Sequence, residues 1–315
     1  MVGELNVDVI VACAGPPAFG QQETLVADAR LTLGSSGAIT AVAAARLGLD
    51  VAYVGVVGDD LLGRHVVERL AAEGVATDLV VRRPDLATGM TVILALPGGD
   101  RAMLTHLGSI GQLRRADVPD DALARARHVH ASSFYLQGGF RAELAGVFDR
   151  ARGGGATCSV DPNWDPSGEW GRDLIDLLAH ADFLLLNDAE ARQLTGLDDV
   201  EVAARDLASS GCAVAVKCGG DGSVLVEGPT AVRMPAADVR VIDTTGAGDN
   251  FNAGFLAARL RGESSLASLA WGNALGALST LAAGGTTADT TGAAQLAADL
   301  LSGQHGTVAG SGSRD

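Results

Sequence analysis

Between positions 241 and 255 the chain reads Val-Ile-Asp-Thr-Thr-Gly-Ala-Gly-Asp-Asn-Phe-Asn-Ala-Gly-Phe. The β-branched pair Val241 and Ile242 stops at Asp243 and a Thr-Thr step. Gly246, Ala247 and Gly248 then make a turn that only small residues tolerate. Phe251, Phe255 and Ala258 follow at i, i+4 and i+7, the apolar face of a helix. Gly-Ala-Gly therefore stands at a helix N-terminus, where unpaired N–H groups and the positive end of the dipole favour an anion. Asp249 lies in the first helical turn, beside that anion site. A carboxylate suits the dipole but repels a phosphate. The simplest resolution is a base that takes a proton from a nucleophile attacking the phosphate. The competing reading makes Asp249 a plain first-turn acid next to a tight turn.

Composition narrows what surrounds this stretch. A chain of 315 residues can bury one large core, and 47% hydrophobic residues with abundant glycine and alanine suit a compact α/β enzyme. A formal charge of −15 and a pI near 4.7 argue against nucleic acid or an anionic membrane as partner. Cys13, Cys158, Cys212 and Cys218 have neither metal-binding nor disulfide-framework spacing, which predicts a reducing, cytoplasmic setting. No apolar run reaches membrane length, and the start has no leader pattern. The Gly/Ser-rich stretch 304–315 reads as a disordered tail.

From His128 onward, strand and helix patterns alternate, the mark of a doubly wound parallel sheet. Strands are read at 128–133, 156–160, 183–187 and 213–217. Ligands of open α/β sheets bind beyond the C-terminal strand ends, which places Asp161 and Asn163 well, although Asp-Pro-Asn is also ordinary turn chemistry. Asn187 and Glu190 have the spacing of a capping box. Residues 218–222, Cys-Gly-Gly-Asp-Gly, read as a glycine turn. His130 reads as a packed strand-end histidine. Residues 5–13 read as a buried strand with Asn6 and Asp8 near its start. Residues 77–82, 89–96 and 101–105 read as short strands, with a hairpin turn at 97–100. Asp59 reads equally as a helix N-cap or a ligand. Lys217 is the only lysine, and no Gly-x-x-x-x-Gly-Lys-Ser/Thr occurs, which excludes a Walker-type P-loop. Phe251 stands where a dinucleotide fingerprint needs its third glycine.

The string at 241–255 closely resembles the C-terminal signature of the ribokinase-like (phosphofructokinase B-type) carbohydrate kinases. The likeness continues in matching order from Gly3 to about Gly285, through residues 34–41, 57–64, Asn187-x-x-Glu190 and 218–222. It implies one α/β domain over residues 1–303, a doubly wound, mostly parallel sheet flanked by helices. A small β-sheet lid would come from about 10–33 and 77–106. It implies ATP-dependent phosphorylation of a sugar hydroxyl, with Asp249 as base and the backbone of Gly246, Ala247 and Gly248 as anion hole. Asp8 and Asn6, Gly34 and Ser35, Arg101, Asp161 and Asn163 would face the sugar. Lys217, Gly220, Gly222, Thr245 and Asn273 would line the nucleotide site. Asn187 and Glu190 would orient Mg2+ through water, and Asp243 with Thr245 can contribute to a K+ site. Lid segments of many relatives pair between subunits, which implies a homodimer.

The first glycine motif departs from the family pattern. Ser35 stands for the second glycine, Ser36 for a lysine that some sugar kinases carry, and Ile39 for a sugar-contacting asparagine. Ile39 cannot hydrogen-bond a hydroxyl, so a less polar or differently oriented acceptor is implied. A nucleoside kinase is the alternative, disfavoured by only 4% aromatic residues. A non-catalytic sugar- or nucleotide-binding protein of the same fold is the other alternative, against which the intact Asp249 argues.

Overall fold

Phe183, Leu184, Leu185 and Leu186 are all buried, and successive side chains join two different apolar clusters. A strand behaves this way when helices cover both faces of its sheet, because neighbouring side chains point to opposite sides. The computed structural model describes residues 1–97 and 100–303. Its elements are β1 (Asn6–Ala12), β2 (Asp28–Leu33), α1 (Ser36–Arg46), β3 (Gly55–Gly58), α2 (Leu61–Ala72), β4 (Val80–Arg83), β5 (Gly89–Ala95) and β6 (Arg101–His106). Then come α3 (Asp120–Arg125), β7 (His128–Ala131), α4 (Leu144–Gly153), β8 (Thr157–Val160), α5 (Arg172–Leu177), β9 (Phe183–Asn187), α6 (Asp188–Thr195) and α7 (Val200–Ala208). The chain continues through β10 (Ala213–Lys217), β11 (Ser223–Glu227), β12 (Thr230–Met234), α8 (Ala247–Leu260), α9 (Ser265–Ser279) and α10 (Ala293–Ser302).

The main sheet has the order β12-β11-β10-β9-β8-β7. Strands β7 to β10 run parallel, and β11 and β12 continue antiparallel. Val2 bridges in parallel to both Ala131 and Val54, carrying the sheet on toward β3. One face packs on α4, α6 and α7 through residues such as Phe148, Ala191 and Leu207. The other packs on α1, α8, α9 and α10 through Ala41, Phe255, Leu275 and Leu296. The doubly wound architecture expected from the alternation is present. No helix among the described residues is long and apolar enough to cross a membrane.

A separate four-stranded sheet has the order β2-β1-β5-β6. Two expectations change here. β1 belongs to this smaller sheet over its whole length, antiparallel to β2 and parallel to β5. Its residues from Asp8 onward are only half-buried, so it is no core strand. β4 lies outside the lid and pairs in parallel with β3. The hairpin of β5 and β6 forms as read, and Leu96 N–H donates to Asp100 O at 2.8 Å; residues 98–99 and the tail 304–315 lie outside the described residues. Asp60, not Asp59, caps α2, accepting from Gly63 N–H at 2.7 Å. Asp59 instead faces Arg64 at 3.6 Å.

Candidate active site

Thr244, Thr245 and Gly246 bring the chain to α8 through a left-handed turn. Gly246 has φ 73°, and a Cβ there would stand 2.6 Å from Gly285 Cα. Only glycine meets both demands. The Ala247 N–H donates back to Thr244 O at 3.2 Å. Among the described residues, the N–H groups of Gly246, Gly248 and Asp249 have no protein acceptor, whereas that of Ala247, a member of the expected Gly246–Ala247–Gly248 anion cradle, is taken. Asp243 braces the turn. Its Oδ1 accepts from Thr245 N–H at 2.9 Å and Thr245 Oγ1 at 2.8 Å, and its Oδ2 accepts from Gly284 N–H at 2.9 Å. Asn250 ties the same turn to Gly285 O at 2.9 Å.

Beside the cradle, the Asp249 carboxyl accepts from the Ser36 hydroxyl. Burial, and then the charge of Asp161, raise it to about 7, against the Ser36 bond and the Lys217 charge. That value suits a base working near neutrality.

Lys217 ends β10 and Asn187 ends β9, and the two pair in register. Lys217 Nζ donates to Asp161 Oδ2 at 2.8 Å and to Asn252 Oδ1 at 3.2 Å; Asn252 Nδ2 donates to Asp161 Oδ2 at 2.6 Å. Burial alone would lower the Lys217 ammonium, but the charges of Asp161, Glu190 and Asp249 hold it above its ordinary value. Asp161 is fully buried. Its carboxylate, expected at the sugar, is taken up by Lys217, Asn252 and the Asn163 N–H at the end of β8. Asn187 and Glu190 form the capping box, each backbone N–H donating to the other side chain at 2.8 Å. Burial and the Asp161 charge raise Glu190 to about 7. No group of three or more His, Cys, Asp or Glu among the described residues is arranged to hold a metal directly.

A cavity of about 530 Å3 opens against the cradle, lined by Lys217, Gly219, Gly220, Gly222, Ala236, Val239, Ala247, Gly248, Phe251, Asn273 and Gly276. Four expected nucleotide-site residues, Lys217, Gly220, Gly222 and Asn273, thus meet there, while Thr245 is not among the lining residues and its hydroxyl bonds Asp243 and Arg101. Gly222 has φ 89°, and a Cβ would stand 2.0 Å from Met234 O. The Asn273 amide donates to Met234 O at 3.0 Å and Pro235 O at 2.8 Å, fixing one wall. Another cavity, about 410 Å3 around Val51, Val129 and Leu256, contains none of these groups.

On the lid side, Asn6 Nδ2 donates to Asp8 Oδ1 at 3.0 Å, and a Cβ on Gly34 would stand 2.4 Å from the same oxygen. Burial raises Asp8 to about 6. Arg101 reaches from β6 to Thr245 Oγ1 at 3.0 Å, joining lid to cradle. Ser35 was expected at the sugar, but its hydroxyl caps α1 at Ala38 N–H (3.1 Å) and donates to Glu4 O at 2.7 Å. Asn163 donates to Ser133 Oγ at 2.7 Å, at the rim of the same region. His130 is fully buried against Ser159 Oγ at 2.7 Å, as a packed residue.

Glu4 and Asn252 escape a reading of the sequence, and Ser36 is visible there only as the residue standing where some sugar kinases carry a lysine. Glu4 is 4% exposed, and its carboxyl accepts from Ser36 N–H (3.1 Å), Ser133 Oγ (2.8 Å) and Gln137 Nε2 (3.1 Å). The signal available for it was an acid ahead of Asn6 and Asp8 in a largely apolar start.

Residues 1–291 match the family model described as pfkB family carbohydrate kinase. The chain is 34% identical over 281 residues to the ATP-dependent ribose-1-phosphate kinase of Halopiger xanaduensis, covering 88% of this chain and 89% of that protein. It is 31% identical over 267 residues to the 2-dehydro-3-deoxygluconokinase of Bacillus subtilis, covering 80% and 82%. Its fold is similar to that of Arabidopsis thaliana ribokinase complexed with ribose and ATP, with a TM-score of 0.80, 24% identity, and coverage of 94% and 97%.

Proposed function

Because the chain belongs to the pfkB family of carbohydrate kinases, phosphotransferases with an alcohol acceptor, we propose ATP-dependent transfer to a sugar hydroxyl with Asp249 as base. One observation carries the reading. A recessed carboxyl raised to about 7 sits in the first turn of α8, next to three N–H groups without protein acceptors. A base and an anion cradle in the same helical turn are what in-line phosphoryl transfer needs.

In this mechanism the Asp249 carboxylate takes the proton of the sugar hydroxyl. The hydroxyl oxygen then forms its bond to the γ-phosphorus as the bond to the ADP oxygen breaks. Gly246, Gly248 and Asp249 N–H groups, with the α8 dipole, hold the charge on the transferring group. The Lys217 ammonium adds a positive charge beside Gly248, where a Cβ would stand 3.4 Å from its Nζ. Asp8, held by Asn6, orients the acceptor hydroxyls, and Arg101 brings a cation to the cradle from the lid. Gly220, Gly222 and Asn273 shape the nucleotide cavity. Mg2+, when bound, would neutralise the phosphates, with Glu190 and Asn187 holding its waters. The Asp243–Thr245 turn is the candidate monovalent-cation site.

A homodimer through the lid belongs to the same proposal. Leu31, Val9, Val92 and Leu104 stand in one cross-strand row. That row lies on the face opposite Asp8, and Leu31 and Leu104 are exposed.

A nucleoside acceptor is the second reading. Trp164, exposed next to Asn163 and edge-on to Trp170 at 5.0 Å, offers a surface for a base. The test is ADP release with Mg-ATP across sugars, sugar acids, sugar phosphates and nucleosides, with Asp249→Asn alongside. Turnover on one sugar class that falls about 10²- to 10⁴-fold in Asp249→Asn, with ATP still bound, is expected. Turnover on nucleosides alone promotes the second reading, and an unimpaired Asp249→Asn overturns the mechanism.

A further inference from the structure

The first turn of α1 grips the start of α8 at three points. The Ser36 hydroxyl donates to Asp249 Oδ1, and the Thr40 hydroxyl donates to the Asp249 main-chain oxygen at 3.2 Å. Residues at i and i+4 lie on one helix face, so both reach the same neighbour. Ile39, 4% exposed, packs under the cradle. Its Cγ2 lies 3.1 Å from where a Gly246 Cβ would be, and its Cδ1 lies 2.7 Å from where a Gly285 Cβ would be. One helical turn therefore holds the carboxyl, the main chain and the cradle. The turn is itself anchored, because Glu4 Oε1 accepts from Ser36 N–H at 3.1 Å and Glu4 O accepts from Ser35 Oγ at 2.7 Å.

Resting on the reading of Asp249 as the base, we propose that Ser36 is its positioning residue, the side-chain member of a clamp completed by Ile39 and Thr40. Two departures from the family pattern then have one explanation. Ser36 and Ile39 replace a lysine and an asparagine, and both side chains are directed at α8. The acceptor pocket lacks those two donors, and the base gains a fixed orientation instead. A hydroxyl donating to Oδ1 leaves Oδ2 to receive the substrate proton, and it favours the ionised form. The other charged or titratable groups acting on Asp249 are Asp161 from the end of β8, Lys217 from β10, Glu4 ahead of β1, and Tyr53. Ser36→Ala leaves all of them in place.

The experiment compares Ser36→Ala and Ser36→Thr in the full chain. Asp249 is titrated by carboxyl-carbon NMR in the resting protein, and kcat, KM and ATP affinity are measured on whichever acceptor the substrate panel identifies. In Ser36→Ala the proton affinity of Asp249 is expected to rise about threefold to tenfold, and the acid limb of the pH–rate profile to move with it. kcat falls about 10- to 100-fold with ATP affinity within twofold of the parent, and Ser36→Thr recovers most of the loss. Should alanine prevent folding, Ser36→Cys, nearly isosteric and a weaker donor, gives the same comparison. An unmoved titration with kcat within twofold of the parent, while Asp249→Asn abolishes turnover, overturns the positioning role alone. Turnover that survives Asp249→Asn overturns the base assignment and this proposal with it.

Discussion

Replacing Lys217 with methionine leaves Asp161 buried with its charge uncompensated. The two groups are 2.8 Å apart, with side chains only 13% and 1% exposed. Removing one partner of such a pair costs about 3–5 kcal/mol, mostly the penalty of the stranded charge. Asp161 keeps two other donors, the Asn252 amide at 2.6 Å and the Asn163 N–H at 3.0 Å. These place Lys217→Met near the low end, about 3 kcal/mol. Methionine has a volume close to that of lysine, so a cavity contributes little. Asp161→Asn with Lys217→Met strands no charge and is expected to recover about 2 kcal/mol of the loss, an interaction energy typical of touching residues. Urea unfolding followed by fluorescence of Trp164, Trp170 and Trp271 measures both changes. The recovered double variant should still be about 100-fold slower than the parent, because the cation beside Gly248 is gone. A loss below about 1 kcal/mol in Lys217→Met, or a double variant no more stable than the single, refutes the buried-pair argument.

The raised Asp249 carboxyl makes two linked predictions. As a base it works ionised, so kcat/KM should climb on the acid side and reach half its maximum near pH 7, read from a pH–rate profile. Its folded value also lies above the roughly 3.9 of an unfolded aspartate, so the folded state binds the extra proton. Stability is then lost as pH rises from about 4 to about 7, and Asp249→Asn should be more stable than the parent at pH 8 by about 1–3 kcal/mol in urea unfolding. Gly222→Ala meets Met234 O at 2.0 Å with φ at 89°, so it should lose at least about 2 kcal/mol and weaken ATP binding, checked by thermal unfolding and nucleotide titration.

What is legible in the sequence follows local rules. The start of α8 announces itself because a glycine turn, a first-turn acid and a 3.6-residue apolar period fall within fifteen residues. The Asn187–Glu190 capping box is likewise complete within four residues. Sheet membership is less visible. β1 has the apolar content of a core strand, yet its hydrogen-bond partners are β2 and β5, and nothing within residues 6–12 specifies them. The cap of α2 fails by a single residue, since Asp59 and Asp60 are chemically equal and only the reach of Asp60 to Gly63 separates them.

The hidden part of the site consists of contacts that close long loops. Ser36 and Asp249 are 213 residues apart, Glu4 and Ser133 are 129, and Asn252 and Asp161 are 91. Each such side chain, taken alone, reads as a cap, a strand interruption or a helix polar residue. Together they surround and hold the Asp249 and Asp161 carboxyls at the start of α8. Positions that break the family pattern, Ser35, Ser36 and Ile39, look like decay when judged by what they no longer give a sugar. Their hydrogen bonds and packing run to Glu4, Asp249 and the turn at Gly246. The same helix turn can serve an acceptor or hold the start of α8, and in this chain its side chains are committed to Asp249 and the turn before it.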